Sequence, residues 1–391
     1  MHWQVRHETA RRTEARLIDV KPVRGRADLR AFIELPYRLY RDDPFWVPPL
    51  RRDVAHMLDK NHPFHAHAEV ELFLARNDAG QVVGRIAAIK NDAHLAQHHD
   101  GAGFFGFFES ERKPEVAAAL FSTVSTWLAA RGLTVMRGPA SFSVNEECGL
   151  LVKGFDSSPV VMMPYNPPWY ADLIEGNGFE KSKDLIAYHH EANGIPERLQ
   201  RVAGKLAERH QIKIRSLDLK QFKEEVARVR MLYNAAWDAN WGNIPMTDAE
   251  FDDLAKQLKP VVVPDLVLFA EVRGELAGFA LALPDLNVAL RHMHGNLFPF
   301  GWIAALWYSR KVDAARILTL GVLPKFRLTG AAELLYMALY KNATARGMTH
   351  GEASWILEDN RLMCQAIENF GGDPYKTYRL YDKTIRTPAA G

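Results

Sequence analysis

The pattern of hydrophobic and polar positions predicts strands and helices in an order that occurs twice along the chain. Alternating positions predict strands, and a period of 3.6 residues predicts an amphipathic helix over 114–131 and another over 331–346. The predicted strands are 15–20, 70–76, 82–90, 103–109, 135–138 and 185–190 in the first half and 213–216, 266–272, 276–283, 315–322, 351–356 and 375–381 in the second. This order predicts an α+β fold built from two similar halves.

Prolines and glycines set the expected limits of the remaining helices and of the two halves. Proline interrupts a helix interior, so the segment 27–58 is expected to form helices broken at Pro36 and Pro44. Further helices are expected over 169–176, 197–210, 219–259 and 360–369. The stretch 193–196, Asn-Gly-Ile-Pro, is the best linker candidate. We therefore expect an N-terminal arm over 1–16, a first domain over 17–193 and a second domain over 194–391.

Composition narrows the class of protein without fixing its activity. A net charge of +2 over 391 residues is too small to indicate binding to nucleic acid, and two cysteines cannot form a disulfide framework. The longest apolar run, 297–308, is well short of the ~20 residues that span a bilayer. The basic, polar N-terminus has no apolar core of a signal peptide. The expected location is the cytoplasm, with peripheral contact at the inner membrane surface left open.

One loop of the second half has the features of an anion site. The stretch 317–332 reads ILTLGVLPKFRLTGAA, an apolar strand, a short basic turn and a helix start, with Arg327, Gly330 and Ala332 in the pattern R-x-x-G-x-A. Backbone N–H groups at a helix N-terminus attract a phosphate, and the helix dipole favours it. Glycine at 330 removes a Cβ that would obstruct the approach. The pattern predicts a pyrophosphate site at the start of this helix.

The corresponding loop of the first half lacks these features. After the strand at 103–109 the chain reads Glu-Ser-Glu-Arg-Lys-Pro over 109–114, which has no glycine and carries two carboxylates. Carboxylates repel a pyrophosphate. We therefore expect the anion site in the second half only.

The loop around Arg327–Ala332 resembles the CoA-binding loop of the GNAT superfamily of N-acyltransferases, and the order of elements resembles two GNAT domains in tandem. The resemblance implies that each half has a central, mixed and mostly antiparallel sheet flanked by helices. It implies acyl-CoA or acetyl-CoA as co-substrate, no metal, and an asparagine like Asn360 contacting the pantetheine arm. The residues that the resemblance assigns to CoA are Leu320, Val322, Arg327, Leu328, Thr329, Gly330, Ala331, Ala332 and Asn360. Ile367 departs from the family pattern, which often has a tyrosine there as acid to the leaving thiolate.

Longer strings resemble a bacterial group of tandem GNAT proteins similar to bacterial ceramide synthases. These strings are LPYRLYRDDPFWVPPL (35–50), FFGFFE (104–109), SVNEECGLLV (143–152), MMPYNPPWY (162–170) and SWILEDN (354–360). The resemblance implies transfer of a long acyl group from CoA to a lipid amine such as a sphingoid base. Two alternatives stay open: acetyl transfer to a small amine or peptide, and an acyl-CoA sensor without catalysis.

Carboxylates are the candidate bases for such a reaction. An alkylammonium must lose a proton before it attacks a thioester, so a carboxylate or histidine in reach of the amine is useful. The candidates are Glu352 after the predicted CoA helix, Asp285, and the adjacent pair Glu146 and Glu147. Glu352 has the best expected position, because the two central strands of a GNAT sheet splay apart beside it.

Aromatic and amide residues in two irregular segments are candidates for contact with the acceptor. Trp237 and Trp241 fall where the resemblance puts an acceptor-binding helix, and Tyr165 and Asn166 belong to a proline-rich aromatic stretch. Asn287 follows the candidate base Asp285. The same residue types also occur in ordinary cores and helix ends, so the sequence alone does not separate the two roles.

Two further features allow two interpretations. The insertion 295–316 crowds seven large apolar residues before Arg310 and Lys311, which fits either a core helix or a hydrophobic lid or helix at a membrane interface. The histidines at 62, 65, 67, 94, 98 and 99 suggest a metal, but no cysteine or carboxylate has the spacing of a zinc site. We interpret them as solvated loop histidines and expect no metal.

Overall fold

The structure is a computed structural model that describes residues 18–237 and 240–385. The predicted arm 1–16 and Leu17 lie outside the described residues. The predicted first strand is described from residue 18 onward and runs over Asp19–Pro22.

The first half follows the predicted order closely. Its strands are β1 Asp19–Pro22, β2 Ala68–Arg76, β3 Val82–Asn91, β4 Ala102–Ser110, β5 Val135–Gly138, β6 Ala140–Ser141, β7 Glu147–Cys148, β8 Leu150–Lys153 and β9 Glu180–Glu191. Its α-helices are α1 Gly25–Leu39, α2 Arg51–Met57, α3 Asp92–His98, α4 Pro114–Ala129 and α5 Tyr170–Glu175. The sequence did not predict the short strands β6, β7 and β8, because two to four residues are too few to show a period.

The second half also keeps the predicted order. Its strands are β10 Ile212–Ser216, β11 Val267–Val272, β12 Glu275–Pro284, β13 Ala314–Val322, β14 His350–Leu357 and β15 Gly372–Thr384. Its α-helices are α6 Glu197–His210, α7 Phe222–Trp237, α8 Asp248–Leu258, α9 Asn287–Met293, α10 Gly301–Tyr308, α11 Ala331–Ala345 and α12 Arg361–Asn369. Helix α8 begins at a capping box in which Thr247 and Glu250 bond to each other's backbone, as expected for a T-x-x-E sequence.

The halves exchange their last strands and thereby form one sheet in the described part of the chain. The sheet has the order β1-β2-β3-β4-β5-β15-β9-β14-β13-β12-β11-β10. The last strand of the first half, β9, pairs with β14 of the second, and the last strand of the second half, β15, pairs with β5 of the first. The fold is mixed α/β with a mostly antiparallel sheet flanked by helices, as predicted, while the division into domains 17–193 and 194–391 stays a prediction.

Each half contains one parallel strand pair that opens after a few residues. In the first half, β4 and β5 pair from Ala102 to Phe104, and in the second half, β13 and β14 pair from Ala314 to Ile317. Beyond these residues the two strands of each pair are no longer hydrogen-bonded to each other. Each half therefore has a wedge-shaped opening in its sheet.

Helix α1 continues through Pro36, so the predicted break there is wrong. Proline lacks the N–H that would bond to the carbonyl of Phe32 four residues earlier. The buried Arg85 of β3 replaces this bond, donating from Nη1 to the Phe32 oxygen at 2.7 Å. A residue distant in sequence thus satisfies the carbonyl, which a local rule cannot anticipate.

Helices of the second half cover opposite faces of its strands. Successive side chains on a strand point to opposite faces. Leu268 and Ala270 of β11 pack in one cluster with Leu335 and Leu339 of α11. The alternate residues Val267 and Phe269 pack in another cluster with Leu232 of α7. Helix α11, which follows the predicted anion loop, therefore lies on one face of the sheet and α7 on the other.

Candidate active site

The opening between β13 and β14 is the centre of the candidate site. A register shift makes Leu318 an extra residue in β13, because Leu281 of β12 pairs with Thr319 while Ala282 pairs with Ile317. Such a bulge bends a strand and redirects its side chains. The Thr319 hydroxyl is enclosed and has no hydrogen-bond partner among the described residues. The strand therefore presents a free polar group at the point where it leaves β14.

A large, mostly apolar pocket adjoins this opening on the face covered by α7. Its volume is about 200 Å³. One face of α7 lines it along the whole helix, through Phe222, Val226, Val229, Tyr233 and Trp237. Further walls come from α8, from β11 to β14 and from the first half, including Leu217, Met246, Phe251, Leu254, Leu258, Val262, Phe279, Leu318 and Trp355. The pocket thus extends from the sheet opening along α7.

Polar residues also line the pocket. Five of them, which we call the polar wall, are Asn145, Glu146, Arg316, Thr319 and Ser354. The pocket wall therefore combines a carboxylate and a guanidinium with a long apolar surface, which suits a ligand with one polar group and a hydrocarbon chain.

Glu146 is the candidate base that lines this pocket. Its Oε2 accepts hydrogen bonds from the Ser143 hydroxyl and from the Ser143 backbone N–H at 2.9 Å, while Oε1 has no partner among the described residues. Burial raises its pKa above the usual range, and the Ser143 hydrogen bonds oppose that shift. One oxygen is thus fixed by the protein, and the other can accept a proton.

Glu146 reaches the pocket because the segment 140–148 fills the opening in the first half. A Cβ on Gly106 of β4 would come within 2.0 Å of the Ala140 carbonyl oxygen, so only glycine allows this close contact. The Ser141 hydroxyl accepts a hydrogen bond from the Phe107 N–H at 3.0 Å, and the Phe142 ring stacks on Phe64 at 4.9 Å. The first opening is therefore occupied by the protein itself.

The loop of the first half that corresponds to the predicted anion loop carries paired charges. The Glu111 carboxylate there pairs with Lys113 at 2.7 Å and with Arg38 at 3.3 Å. Glu115 lies in the first turn of α4. Arg38 and Lys113 are thus neutralised by Glu111, and the carboxylate of Glu115 opposes the helix dipole. Both effects disfavour the binding of a phosphate at the N-terminus of α4.

Glu352 and Asp285 do not line this pocket, and the charge of Glu352 adds to the effect of burial in raising the pKa of Asp285. Glu352 borders a smaller cavity of about 60 Å³ on the α11 face, together with Tyr336 and Leu339. Glu352 is 3% exposed, its Oε2 accepts a hydrogen bond from the Tyr375 hydroxyl, and its Oε1 is enclosed without a partner. Asp285 accepts N–H bonds from Val161 at 2.9 Å and Asn287 at 3.2 Å. Burial raises the pKa of Asp285 to about 6.

Glu147 keeps solvent-accessible surface although protein surrounds it. Loss of hydration raises its pKa, and the charges of Arg316 and Arg85 act in the opposite direction. Arg316 itself is buried and donates to the carbonyl oxygens of Val161 at 2.8 Å and Met162 at 3.0 Å. Glu147 is not part of the pocket wall, so it is a weaker candidate base than its neighbour.

The predicted CoA loop has the expected strand–turn–helix form. Strand β13, which contains Leu320, ends at Val322, and α11 begins at Ala331 directly after Gly330, which has φ +90°. The N–H groups of the first helical turn have no partner within the helix. The side chains of Arg327 and Leu328 are exposed, Leu328 at 97%, and Arg327 has no carboxylate within 4 Å among the described residues. The hydroxyl of Thr329 donates to the Phe326 carbonyl oxygen at 2.7 Å.

Packing and backbone conformation also require a glycine at position 330, in addition to the expected approach of a phosphate. A Cβ there would lie 2.7 Å from Cδ1 of Leu206 on α6, and the positive φ is rarely adopted by other residues. A substitution at Gly330 would strain the fold as well as the loop.

Asn360 and Ile367 have defined structural roles. Asn360 caps α12, its Oδ1 accepting from the Met363 N–H at 3.3 Å, which leaves its amide N–H groups available. Ile367 is 4% exposed and packs with Tyr188, Ala353 and Ile356. The family's tyrosine position is therefore a core position in this chain.

Two of the five candidate acceptor contacts lie in the pocket wall, namely Trp237 and Trp241. The other three bond within the protein. Tyr165 donates to Asp43 at 2.9 Å, Asn287 donates to the Pro159 carbonyl oxygen at 2.7 Å, and Asn166 bonds to both backbone groups of Leu151. Trp237 and Trp241 therefore remain the candidates for contact with the acceptor.

The histidines are not all solvated, contrary to the interpretation above. His94 is 1% exposed and contacts Asp100 at 3.1 Å, and His67 contacts Glu250 at 3.0 Å. Ligand atoms of His56, His62 and Asp253 lie within 4.8 Å of one another. The Nδ1 of His62 accepts the Phe64 N–H, so it does not offer the N–H that a metal-bound imidazole usually donates. The expected absence of a metal stays a prediction.

The sequence pattern does not indicate the pocket face of α7 or the residues Thr319, Ser354 and Arg316. The apolar positions 222, 226, 229, 233 and 237 follow a helical period, but the same period is typical of a core-facing helix. A strand bulge and a buried arginine leave no local pattern. Only the packing shows that this apolar face borders a cavity.

Comparison with known proteins identifies the family. No family model matches the chain. It is 40% identical over 378 residues to a bacterial ceramide synthase of Caulobacter vibrioides (strain NA1000 / CB15N), covering 94% of this chain and 98% of that protein. It is 36% identical over 374 residues to protein YghO of Escherichia coli (strain K12), covering 94% and 95%.

Solved structures support the fold. A tandem GNAT protein from the clavulanic acid biosynthesis pathway aligns with 95% of this chain and all of its own, at a TM-score of 0.57 and 14% identity. A GCN5-related N-acetyltransferase from Sphaerobacter thermophilus aligns at a TM-score of 0.53 and 14% identity, covering 94% and 96% of the two chains. None of the described helices combines the length and apolar character needed to cross a bilayer. The chain therefore belongs to the family of the bacterial ceramide synthase, and it is an N-acyltransferase with the tandem GNAT fold.

Proposed function

We propose that the protein transfers a long-chain acyl group from CoA to the amine of a membrane lipid such as a sphingoid base. The observation that carries this proposal is the apolar pocket beside the strand opening. The pocket-lining face of α7 runs from Phe222 to Trp237, about 22 Å at ~1.5 Å per residue. One leaflet of a bilayer contributes about half of a hydrocarbon core ~30 Å thick. The pocket is therefore long enough for one lipid chain, which a small polar acceptor would not need.

Acyl-CoA is proposed to bind on the opposite face. The free N–H groups at the start of α11 suit a pyrophosphate. The exposed guanidinium of Arg327, which donates a hydrogen bond to the Ala236 carbonyl oxygen at 3.3 Å, adds a positive charge beside them. Backbone groups of β13 near Leu320 and Val322 would hold the thioester, and Asn360 would offer its amide to the pantetheine arm. Because α11 and α7 cover opposite faces, acyl-CoA and the acceptor chain would meet at the opening from opposite sides.

Glu146 is proposed as the base, in preference to Glu352. Glu146 belongs to the polar wall of the pocket, where the acceptor amine would lie, and its Oε1 has no hydrogen-bond partner in the part of the chain that the structure describes. A carboxylate of raised pKa is a better match for an amine proton. Glu352 is enclosed and bonded to Tyr375, and Asp285 holds the chain near Val161. Besides its hydrogen bonds to Ser143, Glu146 interacts electrostatically with the ionisable groups of His67, Glu250, Tyr233 and Cys148.

The proposed reaction is direct attack in a ternary complex. Glu146 takes a proton from the ammonium, and the nitrogen lone pair attacks the thioester carbonyl carbon. The C–N bond forms, the nitrogen loses its second proton, and the C–S bond breaks. CoA leaves as the thiolate, which takes up that second proton to become the CoA thiol. A thiol of pKa ~8.5 is a fair leaving group, so the core position of Ile367 is compatible with the chemistry.

The experiment that tests the function is thiol release by purified protein. Palmitoyl-CoA and acetyl-CoA are offered in parallel, each with a long-chain sphingoid base and with a panel of small amines. Turnover with palmitoyl-CoA and the sphingoid base is expected. Turnover confined to acetyl-CoA and small amines would select the alternative acetyltransferase, and CoA binding without turnover would select a sensor.

The base assignment is tested by Glu146→Gln. Glutamine keeps an oxygen for the Ser143 bonds but cannot take a proton. We expect kcat to fall about 100-fold or more at neutral pH, with CoA affinity unchanged, and the loss to shrink at high pH where the amine is already neutral. Glu147→Gln is the matched control and should retain activity. A large loss in Glu352→Gln with full activity in Glu146→Gln would overturn the assignment.

A further inference from the structure

A concentrated apolar surface projects from the second half. Six large apolar side chains of ten consecutive positions are between 45% and 73% exposed, namely Phe298, Phe300, Trp302, Ile303, Leu306 and Trp307. Helix α10, which carries four of them, has no buried residue. We call these six residues the α10 patch. The core-helix interpretation of this insertion is therefore wrong.

The chain segment that carries the α10 patch is basic. Between Leu286 and Val312 the chain has Arg291, Arg310 and Lys311 and no aspartate or glutamate, although the whole chain carries 47 acidic residues. All three cations are exposed. Arg310 and Lys311 follow α10 directly in a 3₁₀ turn, and Lys311 lies 5.0 Å from the centre of the Tyr308 ring. The segment thus combines exposed aromatic rings with three exposed cations.

The segment is held firmly at its base. Ala289 and Met293 of α9 are buried, and Arg51 of α2 donates its backbone N–H to the Gly295 carbonyl oxygen at 3.0 Å. The ring of His292 stacks on Tyr308 of α10 at 3.6 Å. The α10 patch is therefore presented by a packed support and not by an unsupported loop.

We propose that the α10 patch docks the protein on the surface of an anionic lipid bilayer. Tryptophan and phenylalanine favour the region between headgroups and acyl chains, and neighbouring cations bind anionic headgroups at about 1 kcal/mol each. A helix of eight residues is too short to span the bilayer and lies in its surface. A second copy of the chain fits less well, because a symmetric contact would bring the cations of both copies together.

This docking deepens the proposed function, since it supplies the acceptor from the membrane where it resides. The segment leaves the sheet at Pro284, which pairs with Ala315 of β13 next to the pocket residue Arg316. Asp285, the next residue, accepts a hydrogen bond from the N–H of Val161, which precedes the pocket residue Met162. The segment that carries the docking surface thus begins beside two residues of the pocket wall.

The test is co-sedimentation of the full chain with vesicles of phosphatidylglycerol and phosphatidylcholine, compared with phosphatidylcholine alone. The variant Phe300→Ser/Leu306→Ser/Trp307→Ser should bind the anionic vesicles at least about tenfold more weakly. Arg310→Gln/Lys311→Gln should lose about fivefold for each charge on anionic vesicles and little on neutral ones. Leu362→Ser, at a single exposed leucine of α12 (82%), is the matched control and should bind like the wild type.

Binding does not depend on turnover, so this test and the test of function fail separately. Failure of the wild type to bind either kind of vesicle would overturn the docking proposal even if the enzyme is active on dispersed substrate. Equal binding by the wild type and the triple serine variant would overturn it as well. A wild-type mass twice that of the chain, reduced to one chain by the serine variant, would assign the patch to a second copy instead.

Discussion

The indole ring of Trp237 lies directly against the backbone of Gly321. A Cβ on Gly321 would come within 2.3 Å of the ring carbon Cη2 of Trp237. The glycine therefore lets an aromatic residue at the end of α7 rest on β13, where that strand has left its parallel partner. The ring also stacks on Tyr233 at 4.9 Å, and both residues line the pocket.

The first prediction concerns this contact. Gly321→Ala should force the indole to move and lower the free energy of unfolding by about 1–3 kcal/mol, because the site is closely packed. Urea unfolding measures the change. In a Trp237→Leu background, where the ring carbon is absent, the same alanine should cost much less. Additive effects of the two substitutions would show that the contact does not constrain the site.

The second prediction concerns the length of the pocket. Val229→Trp places a large ring midway along the α7 wall and should shorten the space for a chain. The kcat/KM for long-chain amines should fall at least about tenfold, since several methylene groups lose burial, while short-chain amines are little affected. A chain-length series measures this. Val202→Trp, at an exposed valine (49%) of α6, is the control. A uniform loss at all lengths would argue against a chain in this pocket.

The third prediction concerns the CoA loop. Leu328 is 97% exposed, so Leu328→Glu removes no packing and adds a negative charge beside the proposed pyrophosphate. The Kd for CoA should rise about fivefold at low salt and less at high salt. Isothermal titration measures the affinity, with Leu219→Glu, an exposed leucine (48%) before α7, as control. Unchanged affinity would remove Leu328 from the CoA site.

The fourth prediction concerns stability and pH. In the folded protein the pKa of buried Asp285 is raised from 3.8 to about 6, so folding at neutral pH must bury a charged carboxylate. Because the folded state holds this proton more tightly than the unfolded state, the free energy of unfolding decreases as the pH rises from about 4 to about 6. Asn at this position can still accept the N–H bonds from Val161 and Asn287. Asp285→Asn should therefore raise stability at pH 7.5 by up to ~3 kcal/mol.

The pH dependence is the control for this prediction. The stabilising effect of Asp285→Asn should disappear near pH 4, where the aspartic acid is neutral in both states. Urea unfolding at a series of pH values measures it. A variant that is less stable at pH 7.5, or equally stabilised at every pH, would contradict the proposed cause.

The order of elements and the strand–turn–helix form of the proposed CoA loop could be predicted because their signals are local. Alternation over 70–76 and 82–90 marked β2 and β3, and the helical period over 197–210 gave the bounds of α6. The strand, the turn and Gly330 before a helix are contiguous in sequence. These features depend on neighbours within a few residues, and the sequence displays such neighbours directly.

The sequence by itself determined the two similar halves and the strand, turn and glycine that precede α11 in the second half. Tertiary structure alone decided that β9 and β15 exchange halves, that Arg85 lets α1 continue through Pro36, and that Glu146 reaches a pocket of the other half. It also decided that the apolar segment of α10 stays exposed. Each of these outcomes depends on contacts between residues far apart in the chain, whose pairing follows from the packing of the whole molecule and leaves no periodic pattern.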